Sequence, residues 1–235
     1  MKAVRTWWQD QSRELGTART LGLFSCELWE FVRDSTPERR RRRFGDMEYD
    51  WQHRVDTTSG TVGWRERLLG TFLSAYQPTE PAAFREMLSA LGIDFREFTF
   101  VDVGSGKGRT LLMASEYPFR RIVGVEIMPE LHGAAIENLK NYRNETQRCF
   151  VLEAICADAR EFTFPLEPMV VYLFNPLPES GLRSVVTRLD ESLAAAPRPV
   201  YVVYYNPILE HLLSVSASLT RVAGTPIFSI YAARK

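Results

Sequence analysis

The segment Val101-Asp102-Val103-Gly104-Ser105-Gly106-Lys107-Gly108-Arg109 constrains this chain more than any other part of it. Three glycines at alternate positions follow the run 99–103, which is apolar but for Thr99 and Asp102 and reads as a buried strand. Glycines at such a point let the backbone turn sharply and come close to a ligand. The helix predicted after them, carrying Leu111, Leu112 and Ala114, aims its free N–H groups and the positive end of its dipole at the same place. Strand, glycine loop and helix in this order make an open α/β sheet, whose ligands sit in the crevice at the carboxyl ends of the strands.

Several ligands compete for such a loop. A nucleoside triphosphate loop needs G-x-x-x-x-G-K-[ST], and here Gly108 follows Lys107, so that reading fails. A dinucleotide fingerprint would place its third glycine at Arg109, which leaves a nicotinamide oxidoreductase as the weakest alternative. The plain structural reading is a turn that only packs a helix on a strand. Acids farther along the chain count against it. Glu126, followed by Ile127, closes the second strand at 121–125, and an acid about 20 residues past such a loop accepts hydrogen bonds from ribose hydroxyls. Asp158, in Cys156-Ala157-Asp158-Ala159, follows a third strand near 149–155; by spacing alone it is equally a helix N-cap.

The rest of the chain agrees with βαβ units. Thr79 is placed as the N-cap of a helix with Glu80 and Pro81 in its first turn. That helix runs to Leu91 and stops at Gly92, with Phe84, Met87, Leu88 and Leu91 on one face. Further helices are expected from Pro129 to about Tyr142 and over 180–193, and further strands over 169–174 and 200–204. Near-continuous apolar strands suit a sheet covered on both faces. The tail, 219–232, with Gly224-Thr225-Pro226 between apolar halves, reads as a closing hairpin. Residues 1–80 differ in pattern. Helices are expected near 7–15 and 21–33, then the run Arg39–Arg43, then a long loop over 44–63. The expected organisation is an N-terminal helical cap and lid loop over 1–80 and a ligand-binding Rossmann-like domain over 81–235.

Composition narrows the partners. Lys plus Arg and Asp plus Glu number 29 each, so the net charge is zero and no global pull toward nucleic acid or an anionic membrane exists. Any basic surface is local, as at Arg39–Arg43, where a solvated face outweighs a phosphate contact. The three cysteines, Cys26, Cys149 and Cys156, are odd in number and lack metal-ligand spacing, and the histidines His53, His132 and His211 are scattered. No metal site is expected, and a reducing, cytoplasmic compartment fits best. No signal peptide or membrane helix is expected.

The observed G-x-G-x-G, with Asp102 at the strand end, resembles motif I of the class I S-adenosylmethionine-dependent methyltransferases, and the resemblance covers about 76–235. It implies a mostly parallel seven-stranded sheet with helices on both faces and the last strand antiparallel. It implies S-adenosylmethionine as cofactor, held by Asp102, Gly104, Ser105, Gly106, Gly108, Glu126 and Ile127, with Asp158 and Ala159 at the adenine. Asn175-Pro176-Leu177-Pro178 resembles motif IV, where the reactive end of the donor meets the acceptor, so the resemblance makes Asn175 both a catalytic and a cofactor-binding candidate, with Tyr76 the second catalytic candidate. Leu177 and Pro178 stand where amino-group methylases of planar systems carry a second proline and an aromatic, which argues against adenine, cytosine or glutamine as acceptor. Tyr76-Gln77-Pro78-Thr79 ahead of motif I also looks like the histone lysine methyltransferases lacking a SET domain and the enzymes of the ATP-synthase c-subunit. By that resemblance Tyr76 and Thr79 border the methionine part of the donor. The whole chain is also similar to a set of bacterial methyltransferase-like proteins.

The expected reaction is in-line methyl transfer to a protein amine, lysine included, or to a small molecule, with no metal. Glu48, Asp50, His53 and Asp56 are candidate bases, Asp56-Thr57-Thr58-Ser59-Gly60 a candidate lid, and Trp7, Trp8, Trp51 and Trp64 packing or stacking groups. The alternatives are a non-catalytic donor-binding or scaffold module, and an RNA methyltransferase that uses Arg39–Arg43. The oligomeric state is left open.

Overall fold

The computed structural model describes residues 48–58 and 77–234. The expected helices near 7–15 and 21–33, the Arg39–Arg43 run, Trp7, Trp8, Trp64 and Tyr76 lie outside the described residues. So does most of the proposed cap.

Seven strands form one sheet: β1 (Thr99–Val103), β2 (Arg121–Glu126), β3 (Leu152–Cys156), β4 (Met169–Leu173), β5 (Val200–Tyr205), β6 (Leu219–Gly224) and β7 (Phe228–Ala233). Their order across the sheet is β3-β2-β1-β4-β5-β7-β6. The first five are mutually parallel, and β7 runs antiparallel between β5 and β6. The mostly parallel seven-stranded sheet with an antiparallel last strand is therefore present.

The helices are α1 (Pro81–Ser89), α2 (Arg109–Ala114), α3 (Pro129–Asn141), α4 (Glu179–Ala195) and α5 (Glu210–Ser214). Strand parity divides the core in two. Val101, Val103, Val171 and Val202 pack with Leu182, Val185 and Leu189 of α4 on one face. Phe100, Ile122, Val170 and Val203 pack with Phe84, Met87 and Leu88 of α1 and Leu111 of α2 on the other. Both faces are covered, so neither needs polar residues, and β1 and β4 are buried along their whole length.

Tertiary contacts move several boundaries. Thr79 is not the N-cap of α1: Glu80 takes that place, with Pro81 opening the helix, and the Thr79 hydroxyl instead shares a 2.8 Å hydrogen bond with the Tyr172 hydroxyl. The helix ends at Ser89, and Gly92 turns left-handed beyond it at φ +61°. β3 begins at Leu152 because the N–H groups of Arg148 and Cys149 both donate to the Ser115 carbonyl at the end of α2, which holds that backbone off the sheet. Residues 48–53 are helical although they sit in the stretch expected as loop. There the buried Tyr49 ring lies under the Arg109 guanidinium and beside His53, an anchor that composition does not reveal. The short helix α5 was likewise not expected.

Candidate functional site

Chain order leaves β1 for β2 and β3 on one side and returns to β4 on the other, so a crevice opens at the carboxyl ends of β1 and β4. A cleft occupies it, bounded by Thr79, Asp102, Gly104–Gly106, Arg109, Glu126, Ile127, Ala157–Ala159, Tyr172 and Phe174–Leu177.

The floor is main chain. Gly104 and Gly106 take left-handed φ, at +80° and +54°, whereas Gly108, expected at the ligand, does not border the cleft: at φ +82° it caps α2 and packs against Ala135 and Leu111. A Cβ on Gly104 would fall 2.5 Å from Cβ of Pro176, so the glycine loop and the turn after β4 touch where only hydrogen fits. Ser105 turns inward. Its buried hydroxyl has no hydrogen-bond partner among the described residues and packs over the bare Cα of Gly124, where an added Cβ would stand 2.7 Å from it.

Two buried carboxylates, Glu126 and Asp102, flank this floor. Glu126, 4% exposed, accepts from the Gly106 N–H through Oε2 and from the Met128 N–H through Oε1, both at 2.9 Å. Burial raises its pKa, and the two backbone donors oppose the rise. Asp102, 2% exposed, accepts from the Thr110 hydroxyl. Burial, with a smaller push from the Glu126 charge, carries it up to about 7, with the Thr110 hydrogen bond pulling down.

Asp158 lines the cleft but is no helix N-cap, since a turn and not a helix follows it. Its carboxylate accepts from the Arg160 N–H and from the Arg160 guanidinium at 2.5–3.0 Å, which lowers its pKa. Ile127, Leu131 and Ala159 give that end an apolar lining suited to a flat ring.

The opposite end is built from side chains. Asn175 stands at φ +45°, tolerable for asparagine, and is 5% exposed. Its Oδ1 accepts from the Tyr204 hydroxyl at 2.7 Å and its Nδ2 donates to the Asn206 carbonyl at 2.9 Å. Asn206 repeats the geometry at the end of β5, with φ +49° and a following proline. The repeated Asn-Pro after a strand was the available signal for it. Tyr172 and Phe174 add rings to this wall, and the Tyr172 hydroxyl, buried with Thr79, has a pKa well above normal because of burial.

Sequence reasoning overlooked Arg109 and Lys107. Lys107 pairs with Asp56 at 2.9 Å, and Asn138 binds the backbone of Asp56 at both its N–H and its carbonyl. Arg109 reaches Thr57, Thr58 and Asp50. Four candidate bases therefore have other surroundings. Asp50 and Asp56 are engaged in these pairs, the His53 ring lies tilted between those of Tyr49 and Tyr142, and none of them, nor Glu48, lines the cleft. Trp51 is 89% exposed and packs no cap among the described residues. Among those residues no helix is long and apolar enough to cross a membrane.

No protein-family model matches the chain, and no curated protein does. Solved structures do. A precorrin-6y C5,15-methyltransferase from Geobacter metallireducens is similar at 18% identity and TM-score 0.50, over 66% of this chain and 90% of that one. The N-methyltransferase NodS from Bradyrhizobium japonicum is similar at 12% identity and TM-score 0.48, over 66% and 94%. An RNA methyltransferase from Salinibacter ruber, in complex with S-adenosyl-L-homocysteine, is similar at 24% identity and TM-score 0.40, over 66% and 92%.

Proposed function

We propose that this chain, which has the Rossmann-like methyltransferase fold, is an S-adenosylmethionine-dependent methyltransferase acting on an amine, protein lysine included, or on a small molecule. The observation that carries the reading is the cleft itself: a main-chain floor at Gly104–Gly106 flanked by the buried acids Glu126 and Asp102. Glu126 suits ribose hydroxyls, because an acceptor already aligned by two backbone N–H groups has further lone pairs to offer. Asp102 suits a cation, since a positive neighbour relieves the burial that raises its pKa. Asp158 and Ala159 would border the adenine, and Thr79 the methionine part.

The donor, when bound, brings an already activated methyl, so the protein supplies position and environment. Asn175 and Pro176 would set the wall against which the acceptor is placed. The Tyr204 and Asn206 bonds hold the Asn175 amide in one orientation, which favours an acceptor atom in line about 3 Å from the methyl carbon. The apolar, aromatic character of Tyr172, Phe174 and Leu177 disfavours a charged ammonium there and so favours the neutral amine.

Titration calorimetry with S-adenosylhomocysteine tests the cleft, and transfer of labelled methyl to fractionated lysate tests the activity. Binding with no transfer to any fraction would leave a non-catalytic module. Absence of binding would remove the donor reading altogether.

A further inference from the structure

Asn138 is a polar side chain where packing alone would place an apolar one. It stands on α3 and is 4% exposed. Its carboxamide joins two other segments of the chain. Oδ1 accepts from the Asp56 N–H at 2.8 Å, and Nδ2 donates to the Asp56 carbonyl and to the Lys107 carbonyl, both at 2.9 Å. Both amide hydrogens are thereby used. The Lys107 ammonium closes the ring by pairing with the Asp56 carboxylate at 2.9 Å.

The loop held in this way is the one that floors the cleft. Its first half is tied to β2: the N–H groups of Gly104 and Ser105 donate to the Val125 carbonyl at 2.8 and 3.0 Å, and that of Gly106 donates to Glu126 at 2.9 Å. Its second half is seated on α3. A Cβ added to Gly108 would stand 3.3 Å from the Ala135 Cβ, and the Lys107 carbonyl takes the Asn138 bond. Ala135 and Asn138 lie one turn apart on α3 and meet the loop together. Glycine loses more freedom on ordering than any other residue, so a left-handed glycine turn keeps its shape only where its neighbours impose it. Residues 48–58 are attached to this framework mainly by polar bonds, for only Tyr49 and Thr57 among them are buried. A segment with so little apolar burial is docked by a small free energy, and the state of the loop that carries its anchor biases it.

We propose that Asn138 is a positioning residue for the donor site. It clasps residues 48–58 to the Lys107 end of the glycine loop, so that docking of this segment and binding of the donor favour one another. The inference rests on the donor reading above. Asp56, Thr57, Thr58 and Asn138 do not border the cleft, so the effect passes through the main chain of Lys107 and Gly108. Such coupling is reciprocal: the factor by which the docked segment tightens the donor is the factor by which the donor tightens the segment.

Amide exchange and calorimetry on the full chain, with S-adenosylhomocysteine as the probe, test this. In the wild type, saturating S-adenosylhomocysteine should slow exchange of the Asp56, Thr57 and Thr58 amides by about fivefold or more. Asn138→Leu removes all the carboxamide bonds at similar volume. It should weaken S-adenosylhomocysteine binding by a like factor and abolish the response at 56–58. Leu139→Ala is the control, because Leu139 packs in the core beside α3 and bonds to neither segment. It should lower the urea midpoint and leave both the affinity and the response at 56–58 unchanged. Wild-type exchange at 56–58 that ignores bound S-adenosylhomocysteine overturns the proposal, even if the variants fail to fold, and leaves the donor reading standing. An Asn138→Leu variant that folds and binds like the wild type overturns it too, as does a Leu139→Ala variant that weakens binding as much as Asn138→Leu. Failure of the wild type to bind S-adenosylhomocysteine removes the donor reading and this inference with it.

Discussion

The two ends of the cleft are made in different ways. The glycine floor is backbone in left-handed turns, flanked by acids that answer to backbone N–H groups and one hydroxyl. The wall beyond Asn175 is a mesh of side chains from separate strands: Tyr204 to Asn175, Asn175 to Asn206, Tyr172 to Thr79. A backbone floor tolerates almost no change of residue type, because its shape depends on φ values that few residues adopt. A side-chain mesh tolerates more, since each bond removed leaves the others in place.

That contrast sets the order of expected effects. Gly104→Ala meets both strain at φ +80° and the Pro176 contact at 2.5 Å. It should cost about 2–4 kcal/mol in urea denaturation and abolish S-adenosylhomocysteine binding at micromolar concentrations. A fully stable, binding Gly104→Ala would break the comparison outright. Glu126→Ala removes the acceptor of two buried N–H groups as well as the proposed ribose contact. Calorimetry should show affinity for S-adenosylhomocysteine falling about 10–100-fold.

Asp102 gives a pH test. Its pKa in the folded chain, about 7, lies above the ordinary value of 3.8, so the folded state holds the proton more tightly than the unfolded state. The stability contribution of this group is thus full below pH 3.8 and is lost as pH rises to about 7. A cationic donor favours the ionised form, so its affinity should rise over the same range, level off above pH 7 and release a proton on binding. Asp102→Asn should flatten both profiles, read by denaturation and by calorimetry in buffers of different ionisation enthalpy.

On the side-chain wall the effects should be smaller and should separate donor from acceptor. Tyr204→Phe deletes one hydrogen bond to Asn175 and should cost about 1 kcal/mol of stability. Once an acceptor is in hand, kcat should fall while the Kd of S-adenosylhomocysteine stays the same; a weakened Kd would mean that this wall serves the donor too. Smallest of all is Arg160→Ala. Its exposed guanidinium only tethers Asp158, and donor affinity should change by less than about threefold.

Legibility in the sequence follows the same division. Strand parity, the glycine loop and the acid at the end of β2 could be read because each depends on residues adjacent in the chain. Asp102, Gly104, Ser105, Gly106, Glu126, Ile127, Asp158, Ala159, Thr79 and Asn175 all border the same cleft, Gly108 does not, and Tyr76 lies outside the described residues. Roles set by distant partners were not legible. Thr79 reads locally as a cap, yet its hydroxyl meets Tyr172, 93 positions away. Asp50 reads as a base in a loop, yet it is spent on Arg109, 59 positions away. Gly124 looks like any strand glycine until the Ser105 hydroxyl is found over it.

By itself the amino-acid order determined a doubly covered parallel sheet and a bare-backbone crevice at its carboxyl edge, because period, glycine placement and strand-end acids act through the local chain. Only the tertiary structure decided that residues 48–58 fold against the buried Arg109 at the start of α2 and that Asn175 is locked by Tyr204 and Asn206. Hydrogen bonds between remote residues depend on how the sheet and helices bring them together, and no spacing along the chain encodes that.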